Sequence, residues 1–376
     1  MGITVFASRK DDVDIYIRRF GTNKPEKRHH SNRRLLEYKR FKVADVAPLA
    51  EEDAITLMET VHDKDYITFL FSAYNMWNGD DVNYSSTGNK KHWDKLKDTH
   101  GDFQPYHFQP PAFLGPEGGR SSSFGKIISG NVYSEASFYA TDTCTPINKD
   151  LKKALVCDVS VIKKSVDGMT RDPAPKVVYA ATVHPGHHAF RSHYGGYCYI
   201  NNACVAGELL LCSENINRIA HLDIDYHSGN GSASIWNGRS DVVFASVHMD
   251  PQYDYPYSHF SDSETGNTKE FFVPPKSKWE QYRPILETAL DTLLSPRQEN
   301  EKGPDVLIIS LGTDTLAGDP DNGEFGGMNL EISDFAEMGK LFREKVKVPI
   351  LFVQEGGYQV QKGAEAISAL FSELEQ

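Results

Sequence analysis

Five short apolar runs, rich in β-branched residues, narrow the architectures open to this chain more than anything else in it. They are VVYAATV (177–183), RIAHLDID (218–225), VVFASVH (242–248), DVLIISLG (305–312) and PILFVQ (349–354). Segments of this length that are apolar at most positions are buried on both faces, as strands of a parallel sheet are. Helical patterns lie between and after them: NNACVAGELLLCSENI (201–216), WEQYRPILETALDTLL (279–294), SDFAEMGKLFREK (333–345) and GAEAISALFSEL (363–374). Ser333 is the expected N-cap of the third, with Asp334 in its first turn. Strands alternating with helices predict the α/β class, with a central parallel sheet covered by helices on both faces. With 39% hydrophobic and 24% charged residues, the chain can build a sizeable core, and a single domain over 1–376 is expected. Residues 76–130 break the pattern: polar, aromatic and rich in Gly and Pro, they read as a long functional or interface excursion.

The formal charge of −12, from 40 Lys and Arg against 52 Asp and Glu, argues against a nucleic-acid partner and favours cationic substrates. The one basic cluster, KRHHSNRR (27–34), is expected to be a solvated or locally paired surface. Five cysteines (Cys144, Cys157, Cys198, Cys204, Cys212) form no C-x-x-C pair, which fits a reducing compartment. The opening MGITVFASRKDD lacks a signal-peptide apolar stretch, and no run approaches membrane-spanning length. A cytoplasmic protein without membrane contact is the expectation.

Ligands of open α/β sheets bind beyond the carboxyl ends of the strands. Four of the runs lead there into unusual residues: His184-Pro185-Gly186-His187-His188, Asp223-Ile224-Asp225-Tyr226-His227, Thr313-Asp314, and Glu355-Gly356-Gly357-Tyr358. Side chains at i and i+2 of an extended segment point the same way, so Asp225 and His227 can meet one ion. Asp314, from another strand end, would complete three N/O ligands with a position left open, the arrangement of catalytic zinc. A lone D-x-H could equally be a hydrogen-bonded pair; its company at neighbouring strand ends is what favours a metal. His187 and His188 suit acid–base work, since imidazole titrates near neutrality. Asp223 and Asn230 flank the metal pair and could each accept an Nδ1–H bond, one from each ring. An anionic partner raises a histidine's pKa and a neutral amide does not, so the rings should titrate apart, the Asn-paired one acting as proton shuttle. Gly356-Gly357 permits a sharp turn and close approach, which would bring the Tyr358 phenol over the metal as an oxyanion donor.

PGHHA (185–189), GGYCYINNA (195–203), LDIDYHSGNG (222–231), SLGTDTLAGDP (310–320) and EGGY (355–358) together resemble the histone deacetylase superfamily. VHDKDYITFLFSAYNMW (61–77) and YATDTCTPI (139–147) are similar to the N-terminal half of its bacterial acetylpolyamine amidohydrolases. The resemblance implies an arginase–deacetylase fold and one zinc on Asp225, His227 and Asp314, with His187, His188 and Tyr358 catalytic. It also implies structural potassium near Asp223, Asp225 and His227, with backbone from Ser246 and Val247. Gly196, Tyr197 and Tyr255 match the walls of the family's narrow substrate tunnel. An inserted loop, here about 78–125, would help form a homodimer. His184 and Ser228 depart from the commoner family residues at their positions.

The implied reaction is hydrolysis of an N-acetylated amine by metal-activated water, with a His general base and acid and a Tyr oxyanion donor. Acetylpolyamines or similar small amines are the expected substrates, with protein acetyl-lysine the alternative. A binuclear manganese-type ureohydrolase would need more carboxylates than Ser228-Gly229-Asn230 supplies. An inactive acyl-group binder would not need every catalytic position filled.

Overall fold

All five apolar runs lie in one eight-stranded sheet in which every pairing is parallel. The structure is a computed structural model that describes residues 3–9, 12, 24–39, 41–78, 107–108, 130–142, 145–171, 174, 176–260, 266–296, 302–323 and 326–376. Its strands are β1 (Thr4–Ser8), β2 (Lys42–Val46), β3 (His107–Phe108), β4 (Ile147–Asn148), β5 (Val177–Ala181), β6 (Ile219–Asp223), β7 (Val242–Met249), β8 (Thr268–Val273), β9 (Val306–Leu311) and β10 (Ile350–Gln354). The large sheet runs β2-β1-β5-β10-β9-β6-β7-β8, while β3 and β4 form a small antiparallel pair. Because the strands are parallel, their carboxyl ends share one edge.

The helices are α1 (Lys24–Tyr38), α2 (Glu51–Met58), α3 (Lys64–Asn78), α4 (Val132–Tyr139), α5 (Leu151–Thr170), α6 (Asn202–Leu211), α7 (Asn230–Trp236), α8 (Trp279–Leu294), α9 (Ile332–Lys345) and α10 (Val360–Leu374). Alternate strand residues feed two separate cores, as the two-residue period of a strand requires. Val178, Ala180, Ile308, Leu351 and Val353 pack with Ala54, Ile67, Val159, Val205 and Trp236, from α2, α3, α5, α6 and α7. Tyr179, Ala181, Leu307, Ile309 and Phe352 pack with Leu36, Leu286, Phe335 and Ile367, from α1, α8, α9 and α10. The central sheet is therefore covered on both faces, as expected.

Several local expectations need correction. The basic cluster is only in part the solvated or locally paired surface expected: it lies in α1, where Arg34 is exposed and Arg33 pairs with Glu37 and Asp45, but Arg28, His29 and Asn32 are buried. The Arg28 guanidinium donates to the carbonyl of Val183 at 2.8 Å and to that of Glu355, capping the ends of β5 and β10. Burial, reinforced by neighbouring His30, Arg33 and Arg28, pushes the His29 pKa down to about 3, so this part of the cluster carries no extra charge. Ser333 is not an N-cap. α9 begins at Ile332, and the backbone N–H of its N-cap, Glu331, donates to the Asp334 carboxylate at 2.8 Å. Most of the 78–125 excursion, and Cys144, lie outside the described residues; Cys157, Cys198, Cys204 and Cys212 are free thiols. No helix among the described residues is long and apolar enough to cross a membrane.

Candidate metal centre and its pocket

Past the end of β6 the chain carries Asp225 and His227, and past β9 it carries Asp314. Ligand atoms of these three residues lie within 4.8 Å of one another. His227 Nδ1 stands 3.3 Å from Asp225 Oδ1 and 3.3 Å from Asp314 Oδ2. Two ligands on one tetrahedral ion with bonds of about 2.0–2.1 Å stand roughly 3.4 Å apart, so these spacings suit a shared cation. Asp314 Oδ2 is buried and has no hydrogen-bond partner, an unmet acceptor of the kind a cation satisfies. Asp225 is held from two sides: His227 N–H donates to its Oδ1 at 2.9 Å and Gly356 N–H to its Oδ2 at 2.7 Å. A Cβ on Gly356 would collide with Asp314 Oδ2 and Asp225 Oδ2, which is why the turn after β10 needs glycine there. Burial and the Asp225 charge push the Asp314 pKa up from the usual carboxylate range. His227 is also raised, because the Asp225 and Asp314 carboxylates beside its ring outweigh burial.

His187 and His188 sit beside this trio with ring centroids 4.0 Å apart. His187 Nδ1 pairs with Asp223 Oδ2 at 3.1 Å, and His188 Nδ1 with Asn230 Oδ1 at 2.9 Å. Burial pushes the His187 pKa down, but Asp225 and Asp223 outweigh it and lift the pKa to about 10. His188 is lowered well below the usual imidazole value by burial, then by the charges of His187 and His227. The rings thus diverge: nearby carboxylates outweigh burial at His187, whereas at His188 burial and the neighbouring imidazoles outweigh the Asn230 hydrogen bond. The β6–β7 register sets Asp223 opposite Ser246, with Val247 next along the strand.

A cavity of ≈ 430 Å³ opens over the trio, lined by His187, His188, Gly196, Tyr197, Tyr255 and Tyr358 among others. Tyr358 meets Tyr197 edge-on with centroids 5.8 Å apart, and the Arg28 guanidinium lies 5.5 Å from its ring centre. Burial holds the Tyr358 phenol well above its usual pKa, so it remains a proton donor. Gly196 has φ 56° and passes so close to His188 that a Cβ there would strike the ring. Tyr197 itself has φ 64°, uncommon for a bulky residue and compatible with a strained, fixed wall.

A histone deacetylase domain model matches residues 24–374. The chain belongs to the histone deacetylase family. An acetylpolyamine amidohydrolase 2 of Pseudomonas aeruginosa is 32% identical over 247 residues, covering 64% of this chain and 68% of the relative. The acetylpolyamine amidohydrolase of Mycoplana ramosa is 29% identical over 323 residues, 84% of this chain and 82% of the relative. Histone deacetylase 8 of Arabidopsis thaliana is 31% identical over 207 residues, 52% of each chain. A crystal structure of acetylpolyamine aminohydrolase from Burkholderia pseudomallei superposes with TM-score 0.77 at 22% identity, over 99% of this chain and 98% of that one. The family's arginase–deacetylase fold is the architecture described above.

Within this deacetylase pocket, sequence reasoning missed four contributors. Arg28 is one. Asp319 accepts the backbone N–H of Tyr358 at 2.6 Å and of Gln359 at 2.7 Å, fixing the turn that carries the phenol. Asp142 accepts from Gly196 N–H, anchoring the loop that carries Tyr197. Glu355 accepts from Gly186 N–H at 2.6 Å, His187 N–H at 3.1 Å and Ser310 Oγ at 2.9 Å. With both oxygens so engaged, Glu355 braces the His187 turn, although it lies near enough to His187 and Cys198 to form a second metal-like group. Asp142 and Asp319 stand in segments the sequence had singled out, but only contacts across the fold reveal what they hold.

Proposed function

We propose that this chain is a zinc-dependent deacetylase that hydrolyses N-acetylated amines, with small acetylated polyamines as its preferred substrates. The observation that carries this reading is the Asp225–His227–Asp314 trio, with its unmatched buried oxygen, facing two differently tuned imidazoles across one cavity. Zinc held by the trio would supply Lewis-acid activation of water and of the acetyl carbonyl. His188, neutral and oriented by Asn230, takes the proton of the attacking water and then delivers it to the leaving nitrogen. His187, kept cationic by Asp225 and Asp223, offsets negative charge as it develops. The Tyr358 phenol donates a hydrogen bond to the developing oxyanion, a contribution worth about 10²–10³ in rate at comparable sites. Gly196, Tyr197 and Tyr255 wall a slot for a slender alkyl chain. Structural potassium at Asp223, Asp225, His227, Ser246 and Val247, and a homodimer through the 78–125 insert, belong to the same reading.

The choice of substrate is supported by the cavity's charge. Asp142, Asp254, Asp319 and Asp321 line it, and among its described lining residues no Lys or Arg offsets them. An acetylpolyamine keeps ammonium groups beyond its amide, whereas an acetyl-lysine peptide presents mostly neutral backbone. The zinc-loaded protein should release acetate from acetylputrescine or acetylspermidine with at least about ten-fold higher kcat/KM than from an acetyl-lysine peptide, a preference of about 1.4 kcal/mol. Undiminished acetate release after complete chelation would end the zinc reading. Preference for the peptide would transfer the assignment to protein deacetylation.

A further inference from the structure

A second group of potential ligands lies away from the trio, where β7, β8 and the 250–260 loop meet. His248, near the end of β7, is fully buried, yet its Nε2 has no hydrogen-bond partner. Glu270, on β8, has a buried Oε1 in the same condition. These two atoms are 3.4 Å apart, and on the other side of the same carboxylate His259 Nδ1 stands 3.6 Å from Oε2. Both separations exceed a normal N–H···O bond of about 2.7–3.2 Å. The first matches the roughly 3.4 Å between neighbouring ligands on a tetrahedral ion, whereas His259 faces the other oxygen and must turn before all three can share one ion.

Further details prepare these groups for a metal. His248 Nδ1 lies 2.8 Å from Ser246 Oγ; with Nδ1–H donated there, Nε2 carries the free lone pair. Phe272 packs against both imidazoles, with centroids 5.6 Å and 5.0 Å away, and shields one side. His259 is about half exposed, so its ring can turn inward to complete the shell without disturbing the core.

We propose that His248, Glu270 and His259 form a second divalent-metal site, suited to zinc by its two imidazoles and one carboxylate, with water completing the coordination. Its position gives it a role. The 250–260 loop carries Asp254 and Tyr255 of the pocket wall, and His259 lies near that loop's far end. Metal bound here ties the loop to β7 and β8 and fixes one wall of the substrate slot. The site does not depend on the deacetylase reading, because none of its residues belongs to the trio.

Zinc content after equilibration with excess zinc and gel filtration tests this directly, on the full-length protein and its His259→Ala and Glu270→Gln variants. His259→Ala removes an exposed side chain, so folding is not at stake. Each variant should hold one zinc fewer per chain than the unmodified protein, and the zinc-induced rise in Tm should shrink accordingly. Equal zinc content in all three proteins would overturn the proposal, whatever that content is. So would a Glu270→Gln loss not shared by His259→Ala, which would reduce the cluster to a buried ion pair.

Discussion

At the residue scale, the two imidazoles differ in the charge around them, the carboxylates Asp225 and Asp223 for His187 and the imidazoles His187 and His227 for buried His188. His187 faces a carboxylate oxygen and His188 an amide oxygen, at 3.1 Å and 2.9 Å, and their pKa values move in opposite directions. Asn230→Asp would give His188 an anionic partner, which typically raises a histidine by about one to three units. A raised pKa keeps the ring protonated to higher pH, so the base form appears later. The acid limb of kcat/KM should therefore move up by at least about one unit, while the zinc content holds. An unmoved limb would assign the proton transfer to another group. Asp225, His227, His187 and His188 were legible in the sequence because each follows a strand whose own pattern is unmistakable. Their partners Asp223 and Asn230 were legible too, being neighbours in the chain. Arg28 was not, since it acts on Glu355 from 327 residues away and sits in a segment whose composition reads as solvent-facing.

The same contrast holds for whole elements. β5, β6, β7, β9 and β10 announce themselves as apolar runs because both their faces are buried. β2 and β8 lie at the two sheet edges, keep exposed and half-buried positions, and contain lysines, so no such run forms. α1 shows the extreme case: its inward side carries Arg28, His29 and Asn32 in place of aliphatic residues. Arg28 ties this helix to the ends of β5 and β10 and lies against the Tyr358 ring. Arg28→Leu would keep the side chain's bulk but leave the buried Val183 carbonyl unpaired and the Glu355 carbonyl with only the Gln354 side-chain amide at 3.2 Å, at a cost of about 1–3 kcal/mol. A Tm lower by several degrees is expected, together with a reduced kcat at unchanged zinc content, since Tyr358 loses its backing. Wild-type Tm and kcat would mean that water replaces the guanidinium without loss.

For the whole molecule, charge connects composition to substrate. The net −12 sets the sign of the field, and the fold concentrates it by bringing Asp142, Asp254, Asp319 and Asp321 to one cavity from three separate stretches of chain. Asp319 and Asp142 are there to hold backbone, yet their charges act on any cation entering. Walls of low dielectric focus such a field outward and raise the local concentration of a positive substrate. Added salt weakens this over distances beyond the Debye length, about 10 Å at ~0.1 M. Between ~0.02 and ~0.5 M salt, KM for acetylspermidine should therefore rise roughly three- to ten-fold with little change in kcat. Acetylputrescine, with one ammonium fewer, should respond less, and an uncharged N-acetylalkylamine hardly at all. That ordering is the decisive readout, because a general salt effect on stability or metal binding would move all three substrates together.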